Sequence, residues 1–90
     1  MKFEWNPDKA QTNLKKHGVS FPEAATVFAD SLSFTFSDPD HSIGEQRYIT
    51  MGVSRSNRLL IVAHTERQNN IRIISARLAT KKERKFYASG

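Results

Sequence analysis

The stretch Arg58–Arg77, RLLIVAHTERQNNIRIISAR, decides how the rest of the chain is read. Two runs rich in Ile, Val and Leu, Leu59–Arg67 and Ile71–Arg77, are too short for globular helices and flank the polar Gln68-Asn69-Asn70. That is the pattern of a β-hairpin. Asparagine tolerates positive φ, so Asn69-Asn70 suits a tight turn that pairs Arg67 with Arg72. Side chains alternate along a strand, so this register sorts the residues into two faces. Ile61, Ala63, Thr65, Ile74 and Ala76 share one face, expected to be core. Leu60, Val62, His64, Glu66, Ile71, Ile73, Ser75 and Arg77 share the other, where a His, a Glu, a Ser and an Arg among apolar neighbours suggest a site. A three-residue loop would rearrange the assignment.

Upstream of the hairpin, Gln46–Val53 alternates as a strand. A five-residue link sets Ile49, Met51 and Val53 beside Ile61 and Ala63, and Tyr48 and Thr50 beside His64. Ser33–Phe36 is a shorter strand candidate, and Lys2–Trp5 a candidate edge strand. Asn6-Pro7-Asp8 starts a helix that runs to about His17, with Gly18 just past its end. Ser20-Phe21-Pro22-Glu23 is a capping box opening a second helix to about Phe28–Asp30. Thr80-Lys81-Lys82-Glu83 repeats the box and opens a C-terminal helix to about Tyr87. Lys81 and Lys82 occupy its first turn, where the helix dipole disfavours cations. That helix start, entered just after Arg77, is either a phosphate site or an ordinary surface. The expected fold class is α+β: an antiparallel sheet of about four strands, two N-terminal helices and one C-terminal helix.

Ninety residues suit one domain, 1–90, and the chain has no cysteine for a disulfide or thiolate metal site. With no apolar run near about 18 residues and no basic-then-apolar leader, a soluble cytoplasmic protein is expected. The net charge of +5 is unevenly spread. Residues 1–45 hold four Lys/Arg against seven Asp/Glu, whereas residues 46–90 hold ten against two. All seven arginines lie in the second half, and arginine suits bidentate phosphate contacts, so a nucleic acid is the favoured partner.

His17, His41 and His64 show no metal-ligand spacing, and Asp38-Pro39-Asp40 reads as a turn. No metal or other cofactor is expected. Nucleotide-binding and nucleophile-elbow motifs are absent. Metal-free RNA cleavage asks for less: a base and an acid for the 2′-OH and 5′-oxygen, and cations for the phosphorane. His64 is a candidate base or acid, or a packed strand histidine. Arg72 and Arg77 are a candidate clamp, or surface and helix-pairing residues. Tyr48 and Tyr87 could stack on bases, although Tyr87 also suits core packing.

At this point the chain resembles the BrnT family of bacterial toxins over nearly its whole length. The resemblance is carried by Phe3-x-Trp5-x-x-x-Lys9-x-x-x-Asn13, Lys16-His17-Gly18-Val19-x-Phe21, Ala24 and Val27-Phe28. It continues through Asp38-x-x-His41-Ser42-x-x-Glu45-x-Arg47, Gly52-x-Ser54, Arg72-Ile73-Ile74-Ser75-Ala76-Arg77 and Glu83-Arg84-x-x-Tyr87. It implies a RelE-like toxin of a type II toxin–antitoxin system, a metal-independent ribonuclease that halts translation. It also implies a BrnA-like ribbon-helix-helix antitoxin, a complex of two toxins with two antitoxins, and operator DNA bound only through the antitoxin. Arg72 and Arg77 match the family motif and lead the catalytic candidates. His41 and Glu45 match it too, as catalytic residues or as loop anchors, while His64 lies outside it. Lys81, Lys82, Arg84, Tyr87, Tyr48 and Arg47 are the candidate RNA contacts. The alternative is a basic module that binds RNA or an acidic protein without cutting.

Overall fold

The computed structural model describes residues 2–38, 40 and 44–89. Its strands are β1 (Lys2–Glu4), β2 (Phe34–Ser37), β3 (Arg47–Val53), β4 (Leu59–Arg67) and β5 (Asn70–Leu78), in the sheet order β1-β5-β4-β3-β2. Its helices are α1 (Pro7–His17), α2 (Phe21–Ala25), which continues into a 3-10 turn at Thr26–Ala29, and α3 (Lys81–Ser89). The expected antiparallel sheet of about four strands is therefore a mixed sheet of five. β1 pairs in parallel with β5, Phe3 opposite Ile71. Three residues are too few to display an alternation, and nothing local records a pairing between the two ends of the chain.

The helix ends follow their local chemistry. The Asn6 side chain accepts the N–H groups of Asp8 and Lys9 at 2.8 and 3.1 Å. Gly18, at φ 68°, closes α1 by donating its N–H to the Leu14 carbonyl, a left-handed position where a side chain would be strained. Thr80 and Glu83 complete a reciprocal capping box at the start of α3.

The central hairpin departs from its expected register. The turn is Gln68-Asn69, Arg67 pairs with Asn70, and the left-handed residue is Gln68 at φ 55°. Further along, His64 faces Ile73 but Ala63 faces Ser75, so Ile74 is an extra residue in β5. Such a bulge moves every later side chain to the opposite face. Ala76 thereby joins Val62, and Ser75 and Arg77 join Ala63 and Ile61.

The expected core assignment is inverted. Its larger part lies on the His64 face, where Leu60, Val62, Ile71, Ile73 and Ala76 pack against Val19, Phe21, Ala24 and Val27 of the helical layer. On the opposite face α3 covers a smaller cluster of Met51, Ile61 and Ala79, flanked by Phe34 and Tyr87. Gly52 lets the 3-10 turn approach β3. A Cβ there would stand 3.0 Å from Ser33 Cβ and 3.1 Å from the Val27 carbonyl oxygen.

β1 ends opposite Arg72, and the outer edge of β5 is then taken over by the buried side chain of Asn13. Its Nδ2 donates to the carbonyls of Ala76 at 2.8 Å and Val19 at 3.0 Å, and its Oδ1 accepts the Ala76 N–H at 3.1 Å. On the far side, Arg58 donates to both oxygens of Glu23 and to the Gly18 carbonyl, tying α1 and α2 to the β3–β4 turn. Asn13→Ala leaves buried backbone groups of Ala76 without partners, each costing about 1–3 kcal/mol. The expected loss is about 3 kcal/mol, read as a lower urea midpoint at unchanged m-value.

Candidate active site

Beyond α3, the second face of the sheet carries a row of polar side chains: Glu4, Arg72, Thr65 and Arg47, on β1, β5, β4 and β3 in turn. Strand spacing sets the Cα atoms of Arg72 and Arg47 about 10 Å apart with Thr65 between them. Arg72 Nη1 reaches Glu4 Oε2 at 3.4 Å. Arg67, one step along this face of β4, donates from Nε and Nη2 to the two oxygens of Glu45 at 2.5 and 2.9 Å. That contact lowers the Glu45 pKa against the opposing effect of burial, and the fields of Arg67 and Arg72 lower it further.

Arg77 is on the same face, roughly 15 Å along β5 from Arg72. Nη1 and Nη2 donate to the two oxygens of Glu83 at 2.8 and 3.0 Å. Glu83 also accepts the Thr80 N–H at 2.8 Å. The Arg77 contact is the chief reason its carboxyl is pushed down to about 2. The N-terminus of α3, read from sequence as either a phosphate site or an ordinary surface, thus already holds a carboxylate of the chain itself. Lys81, Lys82 and Arg84 stand exposed around it.

His64 is elsewhere. The expectation that it lines an open face is corrected: it has no exposed surface and lies in the main core. Phe28 meets its ring edge-on at 4.9 Å, and Tyr48, half-buried, stacks on it at 5.8 Å. Nε2 bonds the Thr50 hydroxyl at 2.8 Å, which bonds Thr35 at 2.7 Å. Desolvation pushes its pKa down to about 4, so the ring is neutral at pH 7. Tyr87 also faces inward. It packs against Phe34 and donates its hydroxyl to Asp30 Oδ2 at 2.6 Å, the core-packing alternative rather than base stacking. His41 lies outside the described residues.

The structure thus brings Arg47 and Arg72 together, sets Arg77 with the cations of α3, and sends His64, Tyr48 and Tyr87 away from both. Sequence reasoning missed the Arg67–Glu45 and Arg72–Glu4 pairs. The expected register already set Arg67 opposite Arg72; in the observed one Arg67 pairs with Asn70 and Arg72 with Thr65 on the same face. The partnership with β1 left no local signal. Among the described residues no group of three His, Asp or Glu side chains is placed to hold a metal ion.

The chain matches the model of a family described as the ribonuclease toxin, BrnT, of type II toxin–antitoxin systems, over residues 5–83. Its fold is similar to the crystal structure of the Brucella abortus ribonuclease toxin BrnT, with a TM-score of 0.71 and 23% identity. The match covers 90% of this chain and 99% of that one. A search of the curated proteins finds no match.

The titration of His64 makes stability depend on pH. Its folded pKa, about 4, lies below the ordinary value of 6.5, so between the two the unfolded chain binds the proton and the folded one does not. Stability is therefore full above pH 6.5 and falls as the pH drops towards 4, by up to about 3 kcal/mol. Glu83 extends the loss: its contribution is present above pH 4.5 and disappears as the pH falls through about 2. Urea titrations from pH 7 to 4 should show the first decline in the wild type and a much flatter curve in His64→Asn.

Proposed function

The chain belongs to the BrnT family of type II toxin–antitoxin ribonuclease toxins, and from that premise we propose that it is a metal-independent, RelE-like endoribonuclease that halts translation by cutting RNA. The observation that carries the proposal is the set of arginines on the second sheet face. Arg47 and Arg72 flank Thr65, and the bulge at Ile74 turns Arg77 to the same side.

In the reaction, the ribose 2′-OH gives up its proton to water and its oxygen attacks the adjacent phosphorus, while the bond to the 5′-oxygen breaks and that oxygen takes a proton from water. Negative charge builds on the non-bridging oxygens. Arg72, aided by Arg47, meets that charge with the planar donors of two guanidinium groups, which stay protonated throughout. Arg77, held by Glu83, fixes the strand further along, beside Lys81, Lys82 and Arg84. Tyr48, stacked on His64 on the opposite face of the sheet, takes no part in this scheme. His64, neutral and buried, takes no part as base or acid in this scheme, and Tyr87 anchors α3. His41, a catalytic residue or a loop anchor by its match to the family motif, is assigned no step in this scheme.

The protein acts in the cytoplasm as a single domain. A BrnA-like ribbon-helix-helix antitoxin neutralises it in a complex of two toxins and two antitoxins, which reaches operator DNA through the antitoxin. One observation favours the rival, a basic module that holds RNA or an acidic protein without cutting. The burial of His64 removes the strand histidine from the open face.

The deciding experiment is cleavage of a long mRNA by purified protein in excess EDTA. Wild type should give fragments. Arg72→Ala should lose activity by roughly 10²–10³-fold, as expected for removal of a transition-state donor, and Arg77→Ala should lose it steeply while remaining folded. His41→Ala in the same assay tests its role. Intact RNA with wild type, alone and with translating ribosomes, would leave the binding module.

A further inference from the structure

Four charged side chains around Thr65 form one electrostatic unit. Arg72 meets Glu4 across the β5–β1 pair, and Arg67 forks onto Glu45. The pairs are coupled: Arg72 helps to keep Glu45 ionised, and Glu4 helps to keep Arg67 charged. Beneath them Thr65 is 3% exposed, and among the described residues its hydroxyl is buried without a partner. The ionic side chains themselves are accessible, with Arg67 54%, Glu45 41%, Arg72 34% and Glu4 41% exposed.

A carboxylate forked on a guanidinium occupies the same paired donors that a phosphate takes. Both glutamates lie outside the hairpin: Glu4 ends β1, and Glu45 precedes β3. Their carboxylates can rotate to water without breaking a backbone bond of the hairpin. The guanidinium groups, anchored on the same face of adjacent strands, would stay behind.

We propose that Arg67 and Arg72 form a phosphate-binding subsite for RNA above Thr65, filled in the free protein by the carboxylates of Glu4 and Glu45. RNA enters by displacing them. This rests on the nuclease reading and adds to it Arg67, which lies outside the family motif, and a role for two acidic residues. The internal anions set the threshold a substrate must exceed, so they govern affinity and its dependence on salt.

The test is binding of a 2′-O-methyl RNA oligonucleotide, which lacks the attacking hydroxyl, followed by fluorescence anisotropy across a salt series. Arg67→Ala should weaken binding about tenfold and lower the log–log salt slope by about one. Glu45→Gln should tighten binding about threefold, and the gain should vanish in the Glu45→Gln/Arg67→Ala double variant. Far-UV circular dichroism and thermal melts check that the variants fold as wild type does. Wild-type affinity and salt slope in Arg67→Ala, with Arg72→Ala weakened, would overturn the subsite and leave the nuclease intact. A wild type that neither binds the oligonucleotide nor cleaves mRNA would overturn both.

Discussion

The side-chain amide of Asn13 stands where a strand would otherwise be needed. β1 covers the outer edge of β5 only as far as Arg72, and the bulge at Ile74 follows at once. Past the bulge the backbone of Ala76 must find partners inside the protein, because a buried N–H or carbonyl without one costs more than an ordinary hydrogen bond gains. Asn13 supplies both a donor and an acceptor to Ala76, and its third bond, a second donation to the Val19 carbonyl, sets the path from α1 to α2. One residue thus fixes the helical layer on the sheet and keeps β5 in the register that follows the bulge. On a regular strand Arg72 and Arg77, five residues apart, would point to opposite faces. With Ile74 inserted they share one.

The charges follow a second constraint. An acidic first half and a basic second half suggest a molecule with one positive side, yet folding brings the halves together. Glu4 meets Arg72, Glu23 meets Arg58 and Glu45 meets Arg67, each pair joining a carboxylate from the first half to an arginine from the second. The Glu23 pair is the least exposed of these, and with Ser54 and Gly18 it closes the β3–β4 turn onto the helices. The more exposed pairs contribute little to stability, since water and salt screen them. Accessible, weakly held pairs of that kind suit charge that must be exchanged for another anion. The cations of α3 keep a net positive potential at the other end of the same face, where Glu83 steadies Arg77.

His64 shows how one residue type acquires different physics from its neighbours. On an open face, its ordinary pKa would suit proton transfer near neutrality. Enclosed by Phe28 and Tyr48, with Thr50 on one nitrogen, it is a neutral core residue whose protonation opposes folding. The chain of hydroxyls through Thr50 to Thr35 satisfies that nitrogen and links the core to the sheet's edge strand.

The sequence by itself determined most of what short-range chemistry carries, the exact β4–β5 turn excepted. Asn6, Pro7 and Gly18 bound α1, the capping boxes at Ser20 and Thr80 open α2 and α3, and period-two alternation marks β3, β4 and most of β5. The alternation also paired Tyr48 and Thr50 with the His64 face, and Ile49 and Met51 with Ile61. The charge distribution and the family motif marked Arg72, Arg77 and Arg47 as cations worth following. Tertiary structure decided which face is which. A one-residue bulge leaves no local mark in an Ile-Ile-Ser run, because any of those residues fits a strand. Its support comes from Asn13, sixty-three positions from Ala76, which binds the backbone beyond it. The parallel pairing of β1 and the partners of Arg67 and Arg72 were equally hidden, since they join segments that have no local reason to meet.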